Sequence, residues 1–235
     1  MNRRPLSDEE RALYEWQHSV DGFGDAGQER LKAATVLVSR CGGVGGCVAQ
    51  QLAAAGVGRL ILAHAGIGQS RIVQAAERLR AFNPFVEVVP VAENVTAENA
   101  HRLVQEADVV ACCAPLFRER LLLNAAAVRH RKPLVDCAMF ELEMQLTTVL
   151  PGQSPCLACL YPQEPPQWQR RFPVFGAVAA TVGSLGAMEV VKVLAGLGAP
   201  LAGRMLIGDL GTMTFRTVQL RRRADCAVCS SVIGS

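Results

Sequence analysis

Two pairs of cysteines carry the most definite chemistry in this sequence: Cys156-Leu-Ala-Cys159 and Cys226-Ala-Val-Cys229. Two residues between cysteines let both thiolates of a turn face one tetrahedral ion, and a second knuckle closes the shell. Four thiolates leave no open position for water. The spacing therefore predicts structural Zn2+ held by Cys156, Cys159, Cys226 and Cys229, with no catalytic role. A redox pair should open a helix behind a strand, whereas Pro155 precedes the first knuckle and the second lies close to the last residue of the sequence. The other five cysteines (Cys41, Cys47, Cys112, Cys113 and Cys137) lie in apolar segments and read as small buried hydrophobes. Nine cysteines behind a charged start without an apolar leader predict a reducing, cytoplasmic setting.

A site of this kind needs a scaffold, and 235 residues, half of them hydrophobic, suffice for one large core. A net charge of +3 gives no broad cationic surface, so neither nucleic acid nor a membrane is an expected partner. The Arg221-Arg222-Arg223 run reads as a solvated strand end. The apolar stretch Val174 to Met188 is too short to span a bilayer, and its small residues suit a tightly packed helix.

The order of elements follows from periodicity. Ser7-Asp-Glu-Glu10 is a capping box opening a helix through Gln17, and a second helix covers about Gln28 to Ala33. Strands are predicted at Thr35 to Ser39, Arg59 to Ala63, Val86 to Val91, Asp108 to Cys112 and Pro133 to Cys137. Helices fall between them, including Gly45 to Gly56 and Ser70 to Phe82 before Asn83-Pro84. Such alternation predicts an α/β, Rossmann-like, doubly wound and mainly parallel sheet. Strict alternation over Glu141 to Leu150 predicts a half-exposed antiparallel strand. A long helix to Leu197 and strands at Arg204 to Asp209 and Met213 to Leu220 complete the chain. The expected plan is a single domain over 1–235: N-terminal helices in 1–34, a Rossmann half in 35–140, and antiparallel strands, long helix and zinc site in 141–235.

In this order the residues resemble the ThiF/MoeB/HesA family, bacterial relatives of the ubiquitin-activating E1 enzymes. The resemblance rests on Gly42-Gly43-Val44-Gly45, Leu52-Ala-Ala-Ala-Gly56-Val-Gly58-Arg-Leu, and Ala75, Arg78 and Leu79 before Asn83-Pro84. It continues through Ala107-Asp108-Val-Val, Lys132-Pro-Leu, the two knuckles and Gly183-Ser-Leu-Gly-Ala-Met-Glu189-Val-Val-Lys192. It implies a fold that, in active members, uses ATP and Mg2+ to adenylate the C-terminal glycine of a ubiquitin-like sulfur carrier. The nucleotide-binding positions carried over are Gly42, Gly43, Gly45 and Arg71, as vestiges.

The chain departs from the family pattern where that pattern meets ATP. Arg40 stands at the first glycine of the phosphate loop, and Ala63-His64 replaces the acid that grips the ribose. His64 reads as a solvent-facing histidine. The ATP-contacting segment shrinks to Ala65-Gly-Ile-Gly-Gln-Ser70, and Arg71 replaces a lysine. Pro115 stands where an aspartate positions Mg2+, and Glu119 is the next carboxylate. The stretch Trp168 to Pro173 lacks the transfer cysteine, while Leu13 and Trp16 replace the arginine pair that crosses the family dimer.

These departures predict a non-catalytic E1-like protein that binds a ubiquitin-like sulfur carrier or an active E1-like relative, as a homo- or heterodimer. No catalytic residue is assigned, and ATP with Mg2+ is expected to bind weakly or not at all. The alternative is an active adenylyltransferase of a sulfur carrier in thiamine or molybdenum/tungsten cofactor sulfur transfer, with Arg40 and Arg71 on the phosphates. An NAD-linked oxidoreductase would need the missing ribose acid, and a zinc-ribbon nucleic-acid binder more positive charge.

Overall fold

The computed structural model describes residues 5–65, 70–165 and 172–230. Helix α1 (Asp8–Leu13) opens on the capping box: the Ser7 hydroxyl accepts from the Glu10 amide, and the Glu10 carboxylate accepts from the Ser7 amide. It does not continue through Gln17. The chain turns at Tyr14 and restarts as α2 (Glu15–His18), because Tyr14 is drawn into the core and its hydroxyl accepts from the Asn83 amide at 2.8 Å. Helix α3 (Gly24–Ala33) starts earlier than its periodicity indicated.

Then follow β1 (Thr35–Ser39), α4 (Gly43–Ala54), β2 (Arg59–Ala63), α5 (Ser70–Phe82), β3 (Glu87–Val91), α6 (Ala100–Gln105), β4 (Val109–Cys112), α7 (Phe117–Arg129) and β5 (Leu134–Phe140). Their strands pair in parallel in the order β3-β2-β1-β4-β5. Helices cover both faces, so the strands read as nearly continuous apolar runs. Val36, Val38, Leu60 and Leu62 join the core shared with α4 and the long C-terminal helix. Leu37, Ile61 and Val110 join the one shared with α6 and α7. The winding reverses between β1 and β4, and that reversal opens a crevice at their C-terminal ends.

Strands β6 (Glu143–Val149), β7 (Arg204–Asp209) and β8 (Thr214–Gln219) extend the sheet antiparallel beyond β5. The alternation of β6 led to the expectation of a half-exposed strand, yet Met144, Leu146, Thr147, Thr148 and Val149 are all buried. One face meets the long helix α9 (Gly176–Ala195), where Thr148 donates to Glu189 at 2.5 Å. On the other, Val149 joins the cysteine knuckles and Thr147 donates to the Arg204 carbonyl at 2.6 Å. Tertiary cover decides what alternation cannot.

Helix α9 has 20 residues and a mean hydropathy of 1.6, so by length and composition alone it could cross a membrane, contrary to the reading from the shorter apolar stretch. Its contacts explain the composition. A Cβ on Gly183 would lie 2.8 Å from the Cys47 Cβ and Val44 carbonyl of α4, and one on Gly186 would lie 2.3 Å from the Cys137 sulfur. Glu189 is buried, accepts from the Leu201 amide at 2.7 Å and pairs with Lys192. Gly196, with φ 65, ends the helix in the left-handed conformation that favours glycine.

Candidate functional site

The two knuckles meet. The short helix α8 (Leu157–Leu160) starts behind Cys156, and the turn after β8 brings Cys226 and Cys229 against it. All four sulfurs are buried and lie within 4.8 Å of one another. The Cys156–Cys226 and Cys159–Cys229 separations are 3.7 and 3.5 Å. A tetrahedron with metal–sulfur bonds of about 2.3 Å has edges near 3.8 Å, so the donor set and its spacing fit a metal ion. Burial opposes ionisation of Cys226, but the backbone amides of Cys229 and Val228 point at its sulfur and hold its pKa down at about 7. Such donors prepare a thiolate for a cation.

At the crevice between β1 and β4 the chain pairs its own charges. Arg40, directly after β1, adopts φ 61, the left-handed region in which glycine is at ease. Its guanidinium makes two parallel hydrogen bonds to Glu119 in the first turn of α7, at 2.8 and 2.7 Å. Arg40 is 8% exposed and Glu119 5%. Beside them Arg120 makes a second bidentate pair with Asp136 of β5, at 3.0 and 2.5 Å. The Phe117 and Tyr161 rings lie against that guanidinium, with centroids 4.5 and 5.3 Å away. Both cations are matched by carboxylates, so neither is left to meet a phosphate.

The residues carried over from the phosphate loop do come together at the start of α4. Gly42 has open space where a Cβ would stand, whereas a Cβ on Gly43 would lie 3.0 Å from Ala179 of α9. Gly45 is required for close packing, because its Cβ would lie 2.4 Å from the Arg40 carbonyl oxygen. Gly45→Ala should therefore destabilise the protein by about 1–3 kcal/mol despite alanine's better helix propensity. The urea midpoint measures this, and an unchanged midpoint would contradict the packing. The Arg71 side chain, the rest of the shortened segment (66–69) and most of the Trp168 region (166–171) lie outside the described residues.

His64 is half-buried rather than solvent-facing, with its amide bonded to the Val91 carbonyl at 3.0 Å. Cys41 and Cys47 are half-buried, and only Cys112, Cys113 and Cys137 are the fully buried thiols expected. Leu13 and Trp16 are exposed, Trp16 at 85%. Sequence reasoning noted Glu119 only as a distant carboxylate and missed Arg120, Asp136 and Asn124. The available signals were an acid inside the apolar strand Leu134-Val-Asp136-Cys and a Glu-Arg pair at the start of an apolar helix.

Comparison with known proteins agrees with this geometry. The ThiF family model matches residues 14–66 and 61–228. The heterocyst protein HesA of Trichormus variabilis is 43% identical over 96% of this chain and 91% of its own. The sulfur carrier protein adenylyltransferase of Thermus thermophilus is 37% identical over 94% and 91%. The adenylyltransferase and sulfurtransferase MOCS3 of Bos taurus is 40% identical over 97% of this chain and 55% of its own. Among solved structures, Escherichia coli MccB shares the fold with a TM-score of 0.81 at 21% identity, over 95% of this chain and 74% of that one. With the parallel-to-antiparallel sheet, the glycine turn after β1 and the cysteine cage in place, this chain belongs to the ThiF family of E1-like proteins.

Proposed function

We propose that this chain is a non-catalytic E1-like protein that binds a ubiquitin-like sulfur carrier or an active E1-like relative. The observation that carries this reading is the buried Arg40–Glu119 pair across the β1/β4 crevice. In an open doubly wound sheet that crevice receives the ligand. Here it holds an internal bidentate pair, and Pro115 stands where the family pattern has its Mg2+ carboxylate. A phosphate reaching the Arg40 guanidinium would have to displace Glu119 from it.

The partner reading is supported by an apolar surface at the same end of the sheet. Phe140, Leu142, Met213 and Phe215 are exposed around the β5–β6 and β7–β8 turns. These turns are neighbours because Glu143 pairs with Asp209 across β6 and β7. Exposed apolar side chains grouped beside a ligand crevice are a usual mark of a protein partner. The exposed row Ala177, Ala180, Ser184 and Met188 of α9 is the surface left for a dimer, since Ala179, Gly183 and Gly186 are buried within the chain. The metal in the cysteine cage is zinc in this reading, since a buried set of four thiolates with no open position matches structural zinc.

The named adenylyltransferases among the relatives favour a second reading, an active enzyme that adenylates a carrier. Nucleotide binding separates the two. If Kd equals or exceeds the ATP concentration, ligand stabilisation stays below about 0.4 kcal/mol, a shift of less than about 2 °C. A Kd one hundredfold below that concentration would give about 2.7 kcal/mol and a shift of about 5–11 °C. Millimolar ATP with Mg2+ should produce the small shift, and no pyrophosphate exchange should follow addition of the host's carrier. Exchange above background would establish the enzyme instead.

A further inference from the structure

Helix α7 carries the crevice residues Glu119 and Arg120 in its first turn, and one turn further on it reaches the cysteine cage through Asn124. Asn124 is completely buried. Its Oδ1 accepts from the Leu157 amide at 2.9 Å, fixing the backbone directly after Cys156. Its Nδ2 is buried with no partner of normal hydrogen-bond geometry. Because the Leu157 amide directly follows Cys156, Asn124 sits beside the Cys156 thiol, on which its side chain also acts.

The charge on the cage gives this orphaned donor a task. Four thiolates around a divalent cation leave the cage doubly negative, and N–H donors to sulfur spread that charge. Cys226 receives them from its own knuckle, from the Val228 and Cys229 amides. At the other knuckle the Asn124 amide is the donor available beside Cys156. We propose that Asn124 is a positioning residue of the metal site, whose amide donates to the metal-bound Cys156 thiolate while its carbonyl holds the turn that follows. The inference rests on the metal reading above. It makes α7 one rigid element anchored at the cage and at the crevice pairs.

The test uses the full chain and two probes, Zn2+ and NMR-active cadmium. Asn124→Asp keeps an oxygen for the Leu157 amide but sets a carboxylate against the thiolate. Chelator competition should show its zinc affinity reduced about 10–100-fold, the loss usual for outer-shell partners of metal ligands. In the cadmium-loaded wild type, the Asn124 side-chain amide protons should show through-bond coupling to the metal, a signature that backbone support alone does not produce. Should the variant fail to fold, that coupling decides the matter. A wild type that binds both metals but lacks the coupling, or a folded variant within about twofold of wild-type affinity, overturns this inference alone. A wild type that binds neither metal overturns it together with the metal reading.

Discussion

Cys226→Ser should release the metal and lower the melting temperature by about 8–16 °C. The magnitude follows from linkage. An ion held at about one thousand times its Kd stabilises the folded chain by about 4 kcal/mol, and each kcal/mol moves the midpoint of a protein this size by about 2–4 °C. Cys226 is the thiol best prepared for the ion, held at a pKa of about 7 by the Cys229 and Val228 amides. Serine supplies a harder and far less acidic donor, so three thiolates remain around a water-accessible gap. The damage should concentrate where the cage joins distant segments, at the turn after Val149 and the segment after β8. Metal analysis with calorimetry of wild type and variant gives the answer. A metal-free wild type, or a variant with the parent's melting curve, would show that the four cysteines pack without an ion.

Removing Glu119 alone should destabilise the protein far more than removing both partners of the Arg40–Glu119 pair. Glu119→Ala leaves a guanidinium buried and unpaired, which typically costs about 3–5 kcal/mol. Arg40→Gly leaves the carboxylate buried instead, but that group can take up a proton. It also restores glycine at φ 61, relieving a left-handed strain of about 1 kcal/mol or more. Arg40→Gly should therefore lose less than Glu119→Ala. In the double variant no buried charge is stranded, and its stability should lie closer to wild type than that of Glu119→Ala. Urea unfolding of the four proteins measures the cycle, and contacting partners normally couple by about 0.5–3 kcal/mol. Strictly additive losses would mean that the two side chains do not depend on each other, and the proposal of a self-paired crevice would lose its main support.

Local pattern by itself determined the elements whose signals are local. β1, β2, α5 and β7 lie at the residues their periodicity and breakers indicate, from Thr35–Ser39 to Arg204–Asp209. The Ser7 capping box and the two knuckles were equally legible, because a cap and a metal turn are each written within four residues. Other features became visible only in the folded chain. Tyr14 breaks the first helix because Asn83, 69 residues away, holds its hydroxyl. Arg40 meets Glu119 across 79 residues, and Asn124 meets Leu157 across 33. No spacing rule connects such positions; they become neighbours because parallel strands place the ends of β1, β4 and β5 side by side. The cysteine motif thus announced, from sequence, a cluster of four cysteines that could hold a metal ion. That Arg40 pairs with Glu119 and Arg120 with Asp136 was decided by the sheet, since burial and partner choice are properties of what the fold stacks above a residue.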